Sequence, residues 1–424
     1  MLIRHVLIFL FLILVFRTFG QDSTSQRRDS ACQQRDILDV LREWMGKPPP
    51  IKPVKLGTLI LVPIIGSNPA QGFSFGAGGQ YAFRRREEGS LYSLMSASVT
   101  VTTKKQLIVQ IKNNVYTKNN KFFLSGDWRF LVYSQPTYGL STKAPDGSIL
   151  DYQNVINGID VHDDSLVQPM QFNHVRFYQT VSMSLAKSVY VGIGYHLDYH
   201  FNIIDEKLDT ATHALTSHYI YSKHYGFNPH EYLLSGLSIN FVADTRDNMI
   251  NPYKGFFANV NYRFYPDFLG NKKTGNYLLA EWRSFHSLSA KNPRHLIGFW
   301  LLGEFSPNGQ LPYLDLPALG YDQRGRGGRG YTQGRYRGPD LIYGETEYRF
   351  PISQCGGVLG GVVFANATTA NAPDKKVKLF DYIAPSYGFG LRLMVDKYSR
   401  TNLQVDYGFG HNSSGFYLGA TEVF

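Results

Sequence analysis

Apolar and polar residues alternate with a period of two along segment after segment, each about ten residues long. In residues 401–410, Leu403, Val405, Tyr407 and Phe409 fall on one face, opposite Asn402, Gln404, Asp406 and Gly408. Residues 190–201 set Val191, Ile193, Tyr195, Leu197, Tyr199 and Phe201 against Gly192, Gly194, His196, Asp198 and His200. A soluble β-sandwich alternates too, but there the apolar face turns inward to a shared core. Here the polar faces carry charges and glycines repeatedly, as a wet or plugged lumen would. About ten residues is also the length a tilted strand needs to cross a bilayer. Aromatic residues make up 15% of the chain, with 41 Gly and 29 Tyr, a usage that suits interfacial girdles. The expected fold is all-β, a transmembrane antiparallel β-barrel, closed because an open sheet edge cannot survive in hydrocarbon. Counting from Gly57 predicts about sixteen strands, with twelve or fourteen left open by the uncertainty of strand boundaries.

The N-terminus has a different character. Arg4 and His5 precede an apolar run from Val6 to Phe16, and Thr18 and Gly20 are small residues suited to cleavage before Gln21. Residues 1–20 therefore predict a signal peptide rather than an anchor, since a spanning helix needs about 20 apolar residues. Residues 21–55 form a periplasmic segment and residues 56–424 the outer-membrane barrel. Within the segment, Ile37, Leu38, Leu41, Trp44 and Met45 lie at helical spacing, and Gly46 with Pro48–Pro50 ends the run, which predicts a short amphipathic helix. Its apolar face could lie on the inner leaflet, plug the barrel mouth or bind a periplasmic partner through residues 36–45; contact with its own barrel is the simplest choice. Links at 186–188, 352–355 and 396–399 read as periplasmic turns, and longer ones near 134–171, 204–228, 306–338 and 368–380 as external loops. Export permits a disulfide, but two cysteines, Cys32 and Cys355, define no framework and no metal site.

One stretch stands apart from the strands. Residues 324–337 hold five arginines separated mainly by glycines, with Tyr331 and Tyr336 among them. Alone it looks like the Gly-Arg segments that grip single-stranded nucleic acid, but it lies between the eleventh and twelfth expected strands of an exported barrel. Nucleic acid is therefore not an expected partner, although a net charge of +10 by itself would suit either nucleic acid or anionic lipopolysaccharide. Residues 329–352, RGYTQGRYRGPDLIYGETEYRFPI, resemble the sixth extracellular loop and following strand of the BamA/TamA family of outer-membrane assembly barrels. Arg329, Gly330 and Tyr331 match its Arg-Gly-aromatic motif, and Glu347, Arg349 and Pro351 its Glu-x-Arg-x-Pro-like strand end. Residues 244–255 resemble its Asp-Thr-Arg-Asp turn.

The resemblance implies sixteen strands and a long loop folded back into the lumen, where the motif arginine meets acidic groups on inward faces. Glu345 and Glu347 share the inward face of the strand after the loop and are the expected acceptors. Many relatives carry an aspartate on the next strand, where Asn366 stands here, so Asn366 is kept as a lumenal candidate without the carboxylate. Family members with periplasmic POTRA domains use them to receive clients; residues 21–55 are too short for one, and the chain resembles a member without them.

Phe424, preceded at two-residue steps by Glu422, Ala420, Leu418 and Phe416, has the form of an outer-membrane assembly signal read by strand addition. The function implied is insertion or translocation of proteins or lipids through a weak seam between first and last strands, where Pro63 cannot donate a ladder bond. The alternatives are a structural or partner-binding barrel, a passive channel and an outer-membrane enzyme. His196 and His200 flank Asp198 on one face but stand too far apart for shared ligation, so neither a catalytic residue nor a metal or other cofactor is assigned. The expected partners are outer-membrane lipid and lipopolysaccharide, the assembly machinery during biogenesis and protein clients, with a homo-oligomer left open.

Overall fold

The computed structural model describes residues 34–47, 56–68, 72–87, 89–143, 167–211, 215–323, 325–353, 356–420 and 422–424. The signal-peptide expectation and both cysteines, Cys32 and Cys355, lie outside the described residues.

Sixteen strands are found among them, joined into a single antiparallel sheet in sequence order. The first five are β1 (Gly57–Asn68), β2 (Gly72–Phe83), β3 (Ser93–Thr102), β4 (Leu107–Tyr116) and β5 (Phe122–Thr137). Then come β6 (Gln168–Ala186), β7 (Val189–Asp205), β8 (Tyr232–Asp244), β9 (Gly255–Tyr265), β10 (Gly275–Ser287) and β11 (Leu296–Phe305). The set ends with β12 (Asp340–Pro351), β13 (Leu359–Ala370), β14 (Ala384–Asp396), β15 (Thr401–Gly410) and β16 (Ser413–Ala420). Every strand pairs with the next in sequence, so the backbone polar groups between successive strands are satisfied within the wall, as crossing hydrocarbon requires. The count of sixteen and the place of the Gly-Arg stretch between β11 and β12 agree with the pattern read from alternation.

Burial in this wall is inverted relative to a water-soluble protein. On β8, Leu237, Ile239 and Phe241 are exposed while Ser238, Asn240 and Val242 are buried. On β14, Tyr387, Phe389 and Leu391 point out while Ser386, Arg392 and Met394 point in. Ile193 of β7 and Ile239 of β8 face each other across the ladder at 71% and 67% exposure, which is tolerable only against lipid. Charged side chains are instead concentrated inside, among them Asp127, Arg129, Asp198, Arg246, Arg263, Arg283, Glu304 and Arg392.

The longest connections, β5–β6, β7–β8 and β11–β12, all join strand ends at one rim, while the links at the other rim run to ten residues or fewer, which orients that rim to the periplasm. Strands β5, β6 and β7, with 16, 19 and 17 residues, carry the wall past the bilayer on the long-loop side. Both mouths are filled from inside. At the outer mouth α2 (Ser217–Tyr225), capped by Thr216 and ended by Gly226 in the left-handed region, packs Tyr221 on Tyr313 and donates its hydroxyl to Leu311 O at 2.9 Å. At the inner mouth the β8–β9 turn tucks Met249 and Ile250 against Tyr116, Phe123 and Tyr190, and Arg400 ties its Asp247 at 2.7 Å.

Ahead of the barrel, α1 (Ile37–Trp44) begins in a capping box in which Asp36 and Asp39 each accept the other's backbone N–H. It sits on the periplasmic rim: Arg35 N–H donates to Gly356 O at 3.1 Å, and Lys397 Nζ meets Asp39 Oδ2 at 2.6 Å.

Replacing lipid-facing Ile239 by Arg should lower the unfolding free energy by about 2–4 kcal/mol, the penalty for a cation near the bilayer midplane. Replacing neighbouring, lumen-facing Asn240 by Gln should cost far less. Urea titration from lipid vesicles, followed by tryptophan fluorescence, checks the contrast.

Candidate functional site

The connection from β11 to β12 folds into the lumen rather than lying over the rim. Leu311, Tyr313, Leu314, Leu316, Leu319, Asp322, Tyr331, Tyr336 and Arg337 along it are all buried. Its glycines allow backbone-to-wall contact at one point in particular. Gly330 has φ +107°, and a Cβ there would stand 2.9 Å from the Ser386 side chain. Opposite it is Gly408 of β15, whose own Cβ would come within 2.7 Å of Gly330 N. The loop and the wall therefore touch glycine to glycine, which no pair of larger residues could do.

Arg329, 1% exposed, is the hub of this contact. Its Nη1 donates to Asp406 Oδ2 of β15 at 2.7 Å, and its Nη2 donates to both Glu345 and Glu347 of β12. The guanidinium lies over the Phe364 ring at 3.6 Å. Its carbonyl oxygen accepts from Asn366 Nδ2 at 3.1 Å and from Ser386 Oγ at 2.5 Å. Tyr343 donates its hydroxyl to Glu345, so that carboxylate is held from two sides. A guanidinium taken out of water needs this many acceptors in fixed geometry, because its desolvation is otherwise uncompensated.

The pairing extends along the wall as a chain of alternating charge. Glu347 meets Arg349 at 2.7 Å, Asp406 meets Arg392 at 2.5 Å, and Arg392 reaches Glu422 at 2.7 Å. Tyr331 completes the motif: its hydroxyl donates to Pro385 O at 2.7 Å and accepts from His411 N at 3.1 Å, and its ring packs on Tyr336 at 5.1 Å. The remaining described arginines of the stretch also find partners inside. Arg337 donates to the carbonyls of Tyr313, Leu314 and Leu316, Arg335 lies over Tyr138, and Arg326 reaches Ala420 O and Glu422 O.

The structure brings Arg329, Gly330, Tyr331, Glu345, Glu347 and Asn366 into one cluster. Asn366 touches the arginine's backbone rather than its guanidinium. The carboxylate that position lacks comes from Asp406, two strands further on. Alternation places Asp406 on an inward face without pairing it; its signal is the shared phase with Gly408, the glycine that receives the loop.

The three chain-terminal candidates separate. Phe416 and Leu418 point to lipid from β16. Phe424, 0% exposed, does not continue their phase: β16 ends at Ala420, and residues 422–424 turn into the lumen. There Phe424 packs on Trp300 at 5.5 Å and Phe285 at 5.9 Å, and its carbonyl accepts from Arg349 Nη2 at 3.1 Å. The physical reason is Glu422. Continued alternation would send it to the lipid side with Phe416 and Leu418, whereas turning in pairs it with Arg392 and with Asn402 at 2.6 Å.

The histidines are absorbed into the wall. His196 bonds Ser238 Oγ at 2.8 Å and His174 bonds Asp198 Oδ1 at 2.7 Å. Among the described residues no group of three or more His, Cys, Asp or Glu is disposed to hold a metal ion.

A sixteen-stranded barrel whose lumen is filled by its own long loop, held by a buried arginine, defines an outer-membrane barrel with an internal plug. The chain belongs to the Omp85 superfamily, whose domain matches residues 150–424, and it is a bacterial outer-membrane protein. Among solved structures it is similar to BamA from Haemophilus ducreyi lacking POTRA domains 1-3, at 13% identity and TM-score 0.50, covering 86% of this chain and 69% of that one. It is also similar to CdiB from Acinetobacter baumannii (11% identity, TM-score 0.49, 86% of this chain and 60% of that one). CdiB from Escherichia coli aligns at 9% identity and TM-score 0.48, over 88% of this chain and 63% of that one. The chain thus spans less than two thirds of either CdiB. At these identities the likeness concerns the fold alone. No curated protein matches the sequence.

Arg329→Ala leaves Glu345, Glu347 and Asp406 facing one another without their cation, and should destabilise the barrel by about 3–5 kcal/mol. Arg329→Lys should rescue only partly, since one ammonium cannot reproduce the planar fork. The temperature at which the folded band converts to the unfolded band on unheated-versus-heated gels measures both. Unchanged conversion in the Ala variant would remove Arg329 from its place as anchor.

Gly408→Val should displace the loop from the wall with the charges intact. The expected result is a similar fall in conversion temperature together with new protease cleavage between residues 306 and 339.

Proposed function

We propose that this barrel inserts or translocates polypeptides at the outer membrane by parting the wall between β1 and β16. The observation that carries the reading is the seam itself. Each of the fifteen successive strand pairs from β1 to β16 forms a ladder, whereas β1 and β16 approach within 8 Å in Cα positions without ladder pairing among the described residues. The two strands are also unequal, with 12 residues in β1 and 8 in β16, and the last three residues of the chain are committed to the lumen. An edge strand with unpaired N–H and C=O groups is a template for an incoming strand. Pro63, midway along β1, offers no N–H to strengthen closure.

The filled lumen supports a lateral route over an axial one. The plug, α2 and the β8–β9 turn put buried side chains into the lumen at both mouths and between them, which speaks against a passive channel. The Arg329 cluster, in this reading, stiffens β12 to β15 as a frame so that movement concentrates at the weak seam. A barrel that serves only as a structural or partner-binding element remains the contrasting reading, favoured by the number of ion pairs that hold the plug. Outer-membrane lipid and lipopolysaccharide surround the barrel in either case, and the assembly machinery recognises it during biogenesis.

Purified protein in liposomes should speed the folding of an unfolded small barrel several-fold over a porin control, read by gel mobility. A cleavable bis-maleimide linker between Leu59→Cys and Leu418→Cys, with Cys32 and Cys355 replaced by Ser, should abolish the acceleration, and cleavage should restore it. No acceleration from the unlinked protein means the structural reading is correct. Acceleration that survives linking means the seam is not the route.

A further inference from the structure

We infer that α1 is an interfacial anchor, seated by its polar edge on the barrel rim and by its apolar face in the inner leaflet of the outer membrane. Three observations meet here.

The first is the way the helix is held. Asp39 pairs with Lys397 at 2.6 Å, Lys397 N–H points to Asp36, Arg35 N–H donates to Gly356 O, and Gln34 Nε2 donates to Gly357 O at 3.2 Å. These bonds come from two separate periplasmic turns, β12–β13 and β14–β15. A helix of eight residues gripped at two turns cannot roll to bury its other side against its own barrel.

The second observation is what the grip leaves outside. Leu38, Leu41, Trp44 and Met45 are all exposed, with Trp44 at 85%. They follow one another at helical spacing, while Asp36, Asp39 and Arg42 occupy the remaining sides. A tryptophan and two leucines beside a charged edge are the composition of helices that lie in the headgroup region.

The third is depth. The turns that hold the helix are the lower ends of lipid-facing strands.

 Ile352, just past the end of β12, donates its N–H to Leu359 O at the start of β13 at 3.1 Å, and both side chains are exposed. Leu391 and Val405 are likewise exposed above the β14–β15 turn. An element bonded directly beneath that apolar band stands at the level of the inner-leaflet headgroups, so its exposed face continues the surface the barrel already offers to lipid. The occupant is therefore phospholipid rather than a partner helix.

Trp44 reports the outcome. The full-length protein and a Trp44→Phe variant are reconstituted in nanodiscs of phosphatidylethanolamine and phosphatidylglycerol, and the Trp44 signal is taken as the difference between their emission spectra. Phospholipid brominated near the headgroup end of its acyl chains should quench most of that difference, and aqueous acrylamide should quench little of it. Leu41→Asp should leave the barrel's gel mobility intact while abolishing the lipid quenching of Trp44. A Trp44 signal that ignores brominated lipid and yields to acrylamide overturns the inference, and would leave the face turned to the periplasm and free for a protein partner. Because this readout involves no client, its failure says nothing about insertion through the seam.

Discussion

A guanidinium carried into the lumen must find its counter-charges there, and the placement of Arg329 organises much of the interior around that demand. Its acceptors come from β12 and β15, its carbonyl is held from β13 and β14, and the ring beneath it belongs to β13. One residue, through side chain and carbonyl together, thus ties four consecutive strands to a loop that would otherwise be free to leave. The carboxylates have the same need in reverse. Glu345, Glu347 and Asp406 could not remain ionised so close together without Arg329, Arg349 and Arg392 between them.

Against this tightly paired quarter of the wall, the junction of first and last strands is thinly held. The contrast is one of bonding rather than size: the wall from β12 to β15 has ladder pairing, ion pairs and a plug behind it, while β16 turns away after Ala420. The inward tail transfers the polar end of the chain from the seam to the lumen. Glu422 strengthens the ion-pair chain and Phe424 fills an aromatic recess, and neither is left to extend β16 alongside β1.

Much of the barrel was legible from the sequence because lipid imposes a simple rule on every strand. Leu403, Val405, Tyr407 and Phe409 had to share a face, and the period of two made that visible without any partner being known. The plug was legible only through resemblance: the Arg329-Gly330-Tyr331 motif implied a loop folded inward, whereas arginines alone would be equally at home in a hydrated external loop. Asp406 escaped because its pairing joins residues 77 positions apart, and alternation reports which way a side chain faces but not which residue it meets across a lumen. Phe424 misled for a different reason. Its spacing from Phe416 and Leu418 is that of a continuing strand, and only the charge of Glu422, with Arg392 and Arg349 waiting inside, makes the chain turn.

The strands that supply the partners of Arg329 are among the last to be synthesised. The plug precedes β12 in the chain, yet it has no full set of acceptors until β15 is in place. For most of biogenesis the loop must therefore travel unanchored, its arginines hydrated, and it can dock only when the C-terminal hairpins have been laid down. Docking of the plug then marks the moment at which the wall is nearly finished, so that a barrel truncated before residue 401 would stay open inside, recognisable to proteases as incomplete.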